Sequence, residues 1–130
     1  SITLELLSRG CPLVVSVEKD RQHFSFISAV LRKLDDPAAR PYCGDALRFV
    51  ARCREQFDLI FADPPYALPE LPELPDRVMQ SSALAPDGIF VLEHGARHDF
   101  SARPDFLAHR AYGSVNFSFF RRPQVADEEE

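Results

Sequence analysis

The sequence has no apolar run longer than a handful of residues, which excludes a membrane-crossing helix. No charged n-region followed by an apolar stretch opens it, so a secretory leader is not expected. Cysteine is scarce: Cys11, Cys43 and Cys53 are odd in number and far apart. They match neither a zinc spacing nor a disulfide framework, and no metal is expected. Small buried thiols in a reducing cytoplasm are the expectation instead. Internal repeats and low-complexity stretches are missing too. A surplus of positive charge is also absent, since the net charge is −5. Part of that deficit is local, in the run Asp127-Glu128-Glu129-Glu130, and residues 123–130 are expected to form a solvated acidic tail. The body is then near neutral, with modest basic clusters at Arg32-Lys33 and Arg121-Arg122. Charge therefore neither requires nor excludes a nucleic-acid partner.

What is present is core material for one domain: 45% apolar residues, 11 Phe among them, in 130 residues. Strand and helix signals alternate along it. Ile2, Leu4, Leu6 and Leu7 suggest a short helix stopped by Gly10. Leu13–Val17 is a β-branched run, expected as a strand buried on both faces and ending at Glu18. A helical stripe runs from Asp20 to Leu34, followed by a short strand at Pro41–Cys43. Asp45 precedes a second helical segment, and Phe57–Ala62 reads as a further buried strand. Ala67–Pro75 should be loop, with a helix from about Pro75 to Leu84 and a turn at Pro86-Asp87-Gly88. Ile89–Leu92 reads as a strand and Arg97–Asp105 as loop. Ala108–Tyr112 and Val115–Phe120 read as a hairpin turning at Gly113-Ser114. The order predicts an α/β, Rossmann-like fold: an open, mostly parallel, doubly wound sheet with an antiparallel C-terminal hairpin.

Ligands of such sheets sit beyond the carboxyl ends of the strands. Polar groups stand at each of these ends: Glu18, Gly44-Asp45, Asp63-Pro64-Pro65-Tyr66 and Glu93-His94. The Asp-Pro-Pro-Tyr run is the most specific. Two prolines fix φ and give up two backbone donors, making a rigid loop. An exocyclic base amine is a poor nucleophile because its lone pair is delocalised into the ring. Acceptors on its N–H bonds favour a pyramidal nitrogen, and Asp63 with the Pro64 carbonyl can supply them. Tyr66 offers a face on which an extruded base stacks. Glu18 can take ribose hydroxyls, although a solvated strand-end carboxylate is the commoner case. Asp45 can accept from an adenine amine or simply cap its helix. Glu93 and His94 are candidates for substrate contact, with a structural role for His94 as the alternative. Phe117, Phe119 and Phe120 read as hairpin packing.

The layout resembles class I S-adenosylmethionine-dependent methyltransferases. More narrowly, Leu7-Ser8-Arg9-Gly10, Val17-Glu18, Gly44-Asp45-Ala46, Phe57 to Tyr66, Glu93-His94 and Tyr112-Gly113 look like the bacterial small-subunit ribosomal RNA guanine-N2 methyltransferases. The resemblance covers residues 1–122, expected as one methyltransferase domain. It implies S-adenosylmethionine as cofactor, held through Glu18, Lys19, Gly44, Asp45, Ala46 and Asp63. Asp63, Pro64, Pro65 and Tyr66 would be catalytic, with Tyr66, Glu93 and His94 facing the substrate. The implied partner is small-subunit ribosomal RNA or an assembling ribosomal particle in the cytoplasm. The family's glycine-rich cofactor loop and the strand before it are expected ahead of Ser1. A monomer is the expectation, or a strand-swapped dimer if that strand were lacking. The alternatives are an amino methyltransferase acting on adenine or cytosine, in DNA or another RNA, and a non-catalytic scaffold of the same fold.

Overall fold

A computed structural model describes residues 14–18, 21–34 and 39–123. The helix expected at Ile2–Leu7, Gly10, Cys11, Lys19 and the acidic tail lie outside the described residues. The described residues fall into two compact units, divided between Phe49 and Val50.

In the first unit, strand β1 (Val14–Glu18) pairs in parallel with β2 (Ala39–Cys43), Val14 opposite Ala39 and Glu18 opposite Cys43. Helix α1 (Arg21–Leu34) is the crossover that a parallel pair requires. Its last turn carries Arg32 and Lys33, both exposed, where the helix dipole favours positive charge. Val15 and Val17 are half-buried. Cys43 is exposed and Cys53 half-buried, against the expectation of buried thiols. Cys43 is the last residue of β2, which among the described residues has β1 as its one strand neighbour. Helix α2 (Ala46–Arg52) follows directly on Asp45.

The second unit is a four-stranded sheet in the order β3-β4-β6-β5. These strands are β3 (Phe57–Ala62), β4 (Leu84–His94), β5 (Phe106–Tyr112) and β6 (Val115–Phe120). β3 and β4 run parallel, while β6 is antiparallel to both β4 and β5. Among the described residues the strands are thus the parallel pair β1-β2 and this four-stranded sheet. Asp58 and Leu59 are exposed, and among the described residues β3 is an edge of its sheet, so here it is not the fully buried strand its composition suggests. The hairpin turns where expected, with Gly113 at φ 62°, a region favourable to glycine.

Two boundaries differ from expectation. Helix α3 (Leu74–Gln80), preceded by a 3-10 turn at Leu71–Glu73, stops well short of Leu84. Ser81 turns extended, its hydroxyl donates to the Val78 carbonyl at 2.7 Å, and it accepts from the Ala83 N–H at 3.1 Å. Pro86-Asp87-Gly88 is not a separate turn but a bulge within β4. Phe57 pairs with Leu84 and Leu59 with Ile89, so the intervening residues of β4 are extruded. A Cβ at Gly88 would lie 2.7 Å from Leu84 Cδ1 and 3.0 Å from the Phe57 carbonyl, so the bulge needs glycine.

Strand alternation sorts the sheet into two faces. Phe90, Leu92 and His94 of β4 stand opposite Phe120, Ser118 and Asn116 of β6, all buried. Leu71, Leu74, Val78 and Phe100 complete this core, and the Phe90 and Phe120 rings stack at 5.6 Å. Phe120 thus packs as expected of the hairpin aromatics. Val91, Glu93 and Phe117 belong to the other face, where Phe117 meets Phe61 at 6.3 Å. The loop before β5 is pinned by Arg103, which grips Asp105 with two bonds of 2.8 and 2.9 Å and reaches Asp76 at 2.8 Å.

Candidate active site

In the first unit, parallel register places Glu18 opposite Cys43. Gly44, Asp45 and Ala46 therefore continue from the same carboxyl edge that Glu18 terminates. Asp45 caps α2, with Oδ1 accepting from the Leu47 N–H at 2.9 Å and the Arg48 N–H at 3.2 Å. The Tyr42 ring lies over Gly44, where a Cβ would come within 2.7 Å of it. Tyr42 also packs on Phe49, ring centres 5.2 Å apart. An acidic strand end beside a Gly-Asp turn is a donor set suited to a nucleoside's ribose and base. The residues present fit S-adenosylmethionine in that chemical sense.

In the second unit, Ala62 pairs with Leu92, so Asp63 and Glu93 leave neighbouring parallel strands together. Pro65 accepts from the Leu68 N–H at 3.0 Å, turning the chain just after the two prolines. Asp63 is exposed and Tyr66 half-buried. Tyr66 donates its hydroxyl to Glu93 Oε2 at 2.7 Å. That bond, then burial, then the negative charges of Glu93 and Asp63, push the phenol's pKa up from 10.0. It remains a donor at neutral pH, and its ring is held against Gly95, where a Cβ would lie 3.1 Å from Tyr66 Cδ2.

His94 points away from this contact. It is 1% exposed, with Nδ1 2.8 Å from the Gly95 carbonyl and Nε2 2.7 Å from Ser118 Oγ. Burial pushes its pKa down from 6.5, partly opposed by the bond to Gly95; His109 and His98 push it further down. The neutral ring therefore carries its proton on Nδ1, donates to Gly95 and accepts from Ser118. Of the two substrate candidates, the structure brings Glu93 to Tyr66 and places His94 in the core. Arg122, of the basic pair Arg121-Arg122, turns inward: its guanidinium donates to the carbonyls of Met79, Ser81, Leu84 and Ala85.

Sequence reasoning did not single out Gly95, Ser118, His109 or Asn116. One signal was available for two of them. Alternation in Val115–Phe120 puts Asn116 and Ser118 on the face of Phe120, and polar residues on a core face need partners. Among the described residues, no group of three or more His, Cys, Asp or Glu could hold a metal ion, and no helix is long and apolar enough to cross a membrane.

The family described as conserved hypothetical protein 95 matches residues 1–121. The chain belongs to that family. A candidate methylase from Haemophilus influenzae superposes with a TM-score of 0.80 at 19% identity, covering 93% of this chain and 79% of that one. A candidate methyltransferase from Escherichia coli also reaches 0.80, at 23% identity, over 95% of this chain and 70% of its own. These likenesses establish the fold: a Rossmann-like class I methyltransferase fold, as the order of elements predicted. Among curated proteins, the ribosomal RNA large subunit methyltransferase K/L of Syntrophotalea carbinolica is 25% identical over 139 residues. That match covers 95% of this chain and 20% of the relative, so the chain spans about a fifth of its length.

Proposed function

We propose that this family member transfers a methyl group from S-adenosylmethionine to the exocyclic N2 amine of a guanine in small-subunit ribosomal RNA. The observation that carries this reading is Tyr66, anchored through Glu93 directly after Asp63-Pro64-Pro65 at the carboxyl end of a parallel strand pair. S-adenosylmethionine, when bound, supplies a sulfonium methyl open to in-line attack by nitrogen. Glu18 and Lys19 would hold its ribose, and Asp45 and Ala46 its adenine, beside Gly44.

The chain's own part is mostly positioning and electrostatics. Asp63 and the Pro64 carbonyl accept from the two amine N–H bonds, freeing the nitrogen lone pair. Tyr66 stacks the extruded guanine, and Glu93 fixes that ring by accepting its hydroxyl proton in a hydrogen bond. Formation of the N–CH3 bond would be matched by loss of the methyl–sulfur bond, its electron pair staying on the sulfur of S-adenosylhomocysteine as leaving group. The amine would release one proton to Asp63, which is exposed and can pass it to solvent.

The test is transfer of labelled methyl to unmodified small ribosomal subunits by the full chain, with the product mapped by nuclease digestion. Label on a guanine amine supports both reaction and substrate. The Syntrophotalea relative is named for the large subunit, so large subunits belong in the same assay. Cofactor binding without transfer to either subunit moves the search to other nucleic acids, DNA first. Failure to bind cofactor at all would leave the scaffold reading.

A further inference from the structure

On the face of β4 opposite Glu93 lies a cavity of about 370 Å³, lined by His98, Asp99, Phe100, Ser101, His109, Asn116 and neighbouring residues. Its lining includes Ala96, which follows Gly95, the residue against which Tyr66 packs, and it shares no residue with the proposed methylation site. Its volume falls within the roughly 300–1,000 Å³ typical of small-ligand sites.

The walls are chemically particular. Ser118 is 1% exposed and commits its hydroxyl proton to His94, leaving an oxygen that accepts. Asn116 is 8% exposed, and its Oδ1 lies 2.8 Å from His109 Nε2. With the amide so oriented, His109 donates from Nε2, and its Nδ1 is an acceptor in the neutral ring. The Asn116 amide reaches the Ser114 carbonyl with one N–H at a long 3.4 Å and has a second N–H to offer. The rings of His98 and Phe100, both in the lining, stack at 6.0 Å with planes 24° apart and make this part of the wall aromatic. Among the described residues, the one carboxylate in the lining is Asp99, held below the usual range by hydrogen bonds from the Ser101 hydroxyl and from the Ser101 N–H, which donates to its Oδ1 at 2.9 Å. A negative group there disfavours a phosphate. Donor, acceptor and aromatic wall together suit a neutral planar heterocycle.

We propose that this cavity is a second base pocket, which takes a nucleobase flanking the methylated guanine in the RNA strand. The inference rests on RNA being the substrate. Single-stranded recognition works by splaying bases onto aromatic walls and reading their edges, and extrusion of the target frees its neighbours from the stack. Holding one neighbour on the far face of β4 would fix the strand in register while the target enters against Tyr66.

The experiment compares wild type with two surface variants on unmodified small ribosomal subunits. His109→Ala removes an edge contact, and Ser101→Trp fills the cavity from an exposed position. Each is expected to raise the RNA KM about tenfold, the size of one base–aromatic contact, with kcat and cofactor KM within twofold. Ultraviolet cross-linking of the wild type then locates the contact, independently of whether either variant folds. A nucleotide within a few positions of the methylated guanine should attach to His98, Phe100 or His109. An unchanged RNA KM in both variants, or cross-links confined to other segments, overturns the pocket while leaving the methyltransferase reading intact. If the wild type methylates no RNA, both readings fall together.

Discussion

The Tyr66 hydroxyl and Glu93 Oε2 meet at 2.7 Å, joining the loop after β3 to the last turn of β4. Only the hydroxyl's bond to the carboxylate sets the ring's orientation from that side, so ring and hydroxyl are separable by mutation. Tyr66→Phe keeps the stacking face and should lower kcat several-fold, whereas Tyr66→Ala should lower it about a hundredfold. A direct signature of the pair is the phenol titration. The chain has three tyrosines, and Tyr66 is held above 10.0 chiefly by its bond to Glu93. In Glu93→Gln the Tyr66 phenol should titrate at lower pH than in wild type. An absorbance titration identical to wild type would show that Glu93 does not hold the ring in solution.

The strand ends that carry the candidate site were legible because an apolar strand that stops on a polar residue announces its own carboxyl end. Glu18, Asp45 and Asp63 were found that way, and the cap at Asp45 followed from local chemistry alone. The Tyr66–Glu93 contact was not legible, because it depends on Ala62 pairing with Leu92. That register in turn depends on the bulge at Pro86-Asp87-Gly88, and the same three residues make an equally good free turn. The role of Arg122 was not legible for a related reason. Its partners are carbonyls left over where α3 ends and β4 bulges, and carbonyls have no signature in sequence.

Gly95→Ala tests how tightly Tyr66 is seated. The new Cβ would lie 3.1 Å from Tyr66 Cδ2, so the ring must yield by a few tenths of an ångström. Such a shift should cost little stability but lower kcat about tenfold, because positioning is what the ring supplies. Cofactor affinity should stay within twofold. Equal kcat in the two proteins would mean that the ring position is not critical.

Arg122→Ala should be among the most destabilising surface changes in the second unit. It strips charged donors from four carbonyls, those of Met79, Ser81, Leu84 and Ala85. A loss of roughly 3 kcal/mol is expected, lowering Tm on the order of 10 °C. Arg122→Lys should recover only part of it, since an ammonium cannot reproduce the guanidinium fork. Thermal unfolding of the three proteins decides the point, and full recovery by lysine would refute the fork.

Acid should weaken the second unit through His94. Burial lowers its folded pKa below the ordinary 6.5, with His109 and His98 acting in the same direction. The unfolded chain therefore binds this proton more readily than the folded one. Stability should be unaffected above the unfolded pKa, fall as pH drops through about 6.5, and level off below the folded value. In His94→Gln the fall in Tm between about pH 7 and pH 5 should be shallower than in wild type. Parallel slopes would assign the acid sensitivity to other groups.

Asp45 offers a separation of structural from binding roles that few strand-end carboxylates allow. Its Oδ1 caps α2 through Leu47 and Arg48, so Asp45→Ala loses the cap, at a cost of about 1 kcal/mol. Asp45→Ser retains a capping oxygen and should unfold at nearly the wild-type temperature. A serine hydroxyl is shorter and uncharged, so it cannot both cap and accept from an adenine amine. If Asp45 binds cofactor, calorimetric titration with S-adenosylhomocysteine should show affinity reduced about tenfold in both variants, although only the alanine form is less stable. If the serine form binds as wild type does, Asp45 acts through the helix alone, and the adenine must be recognised from another part of the β2 edge.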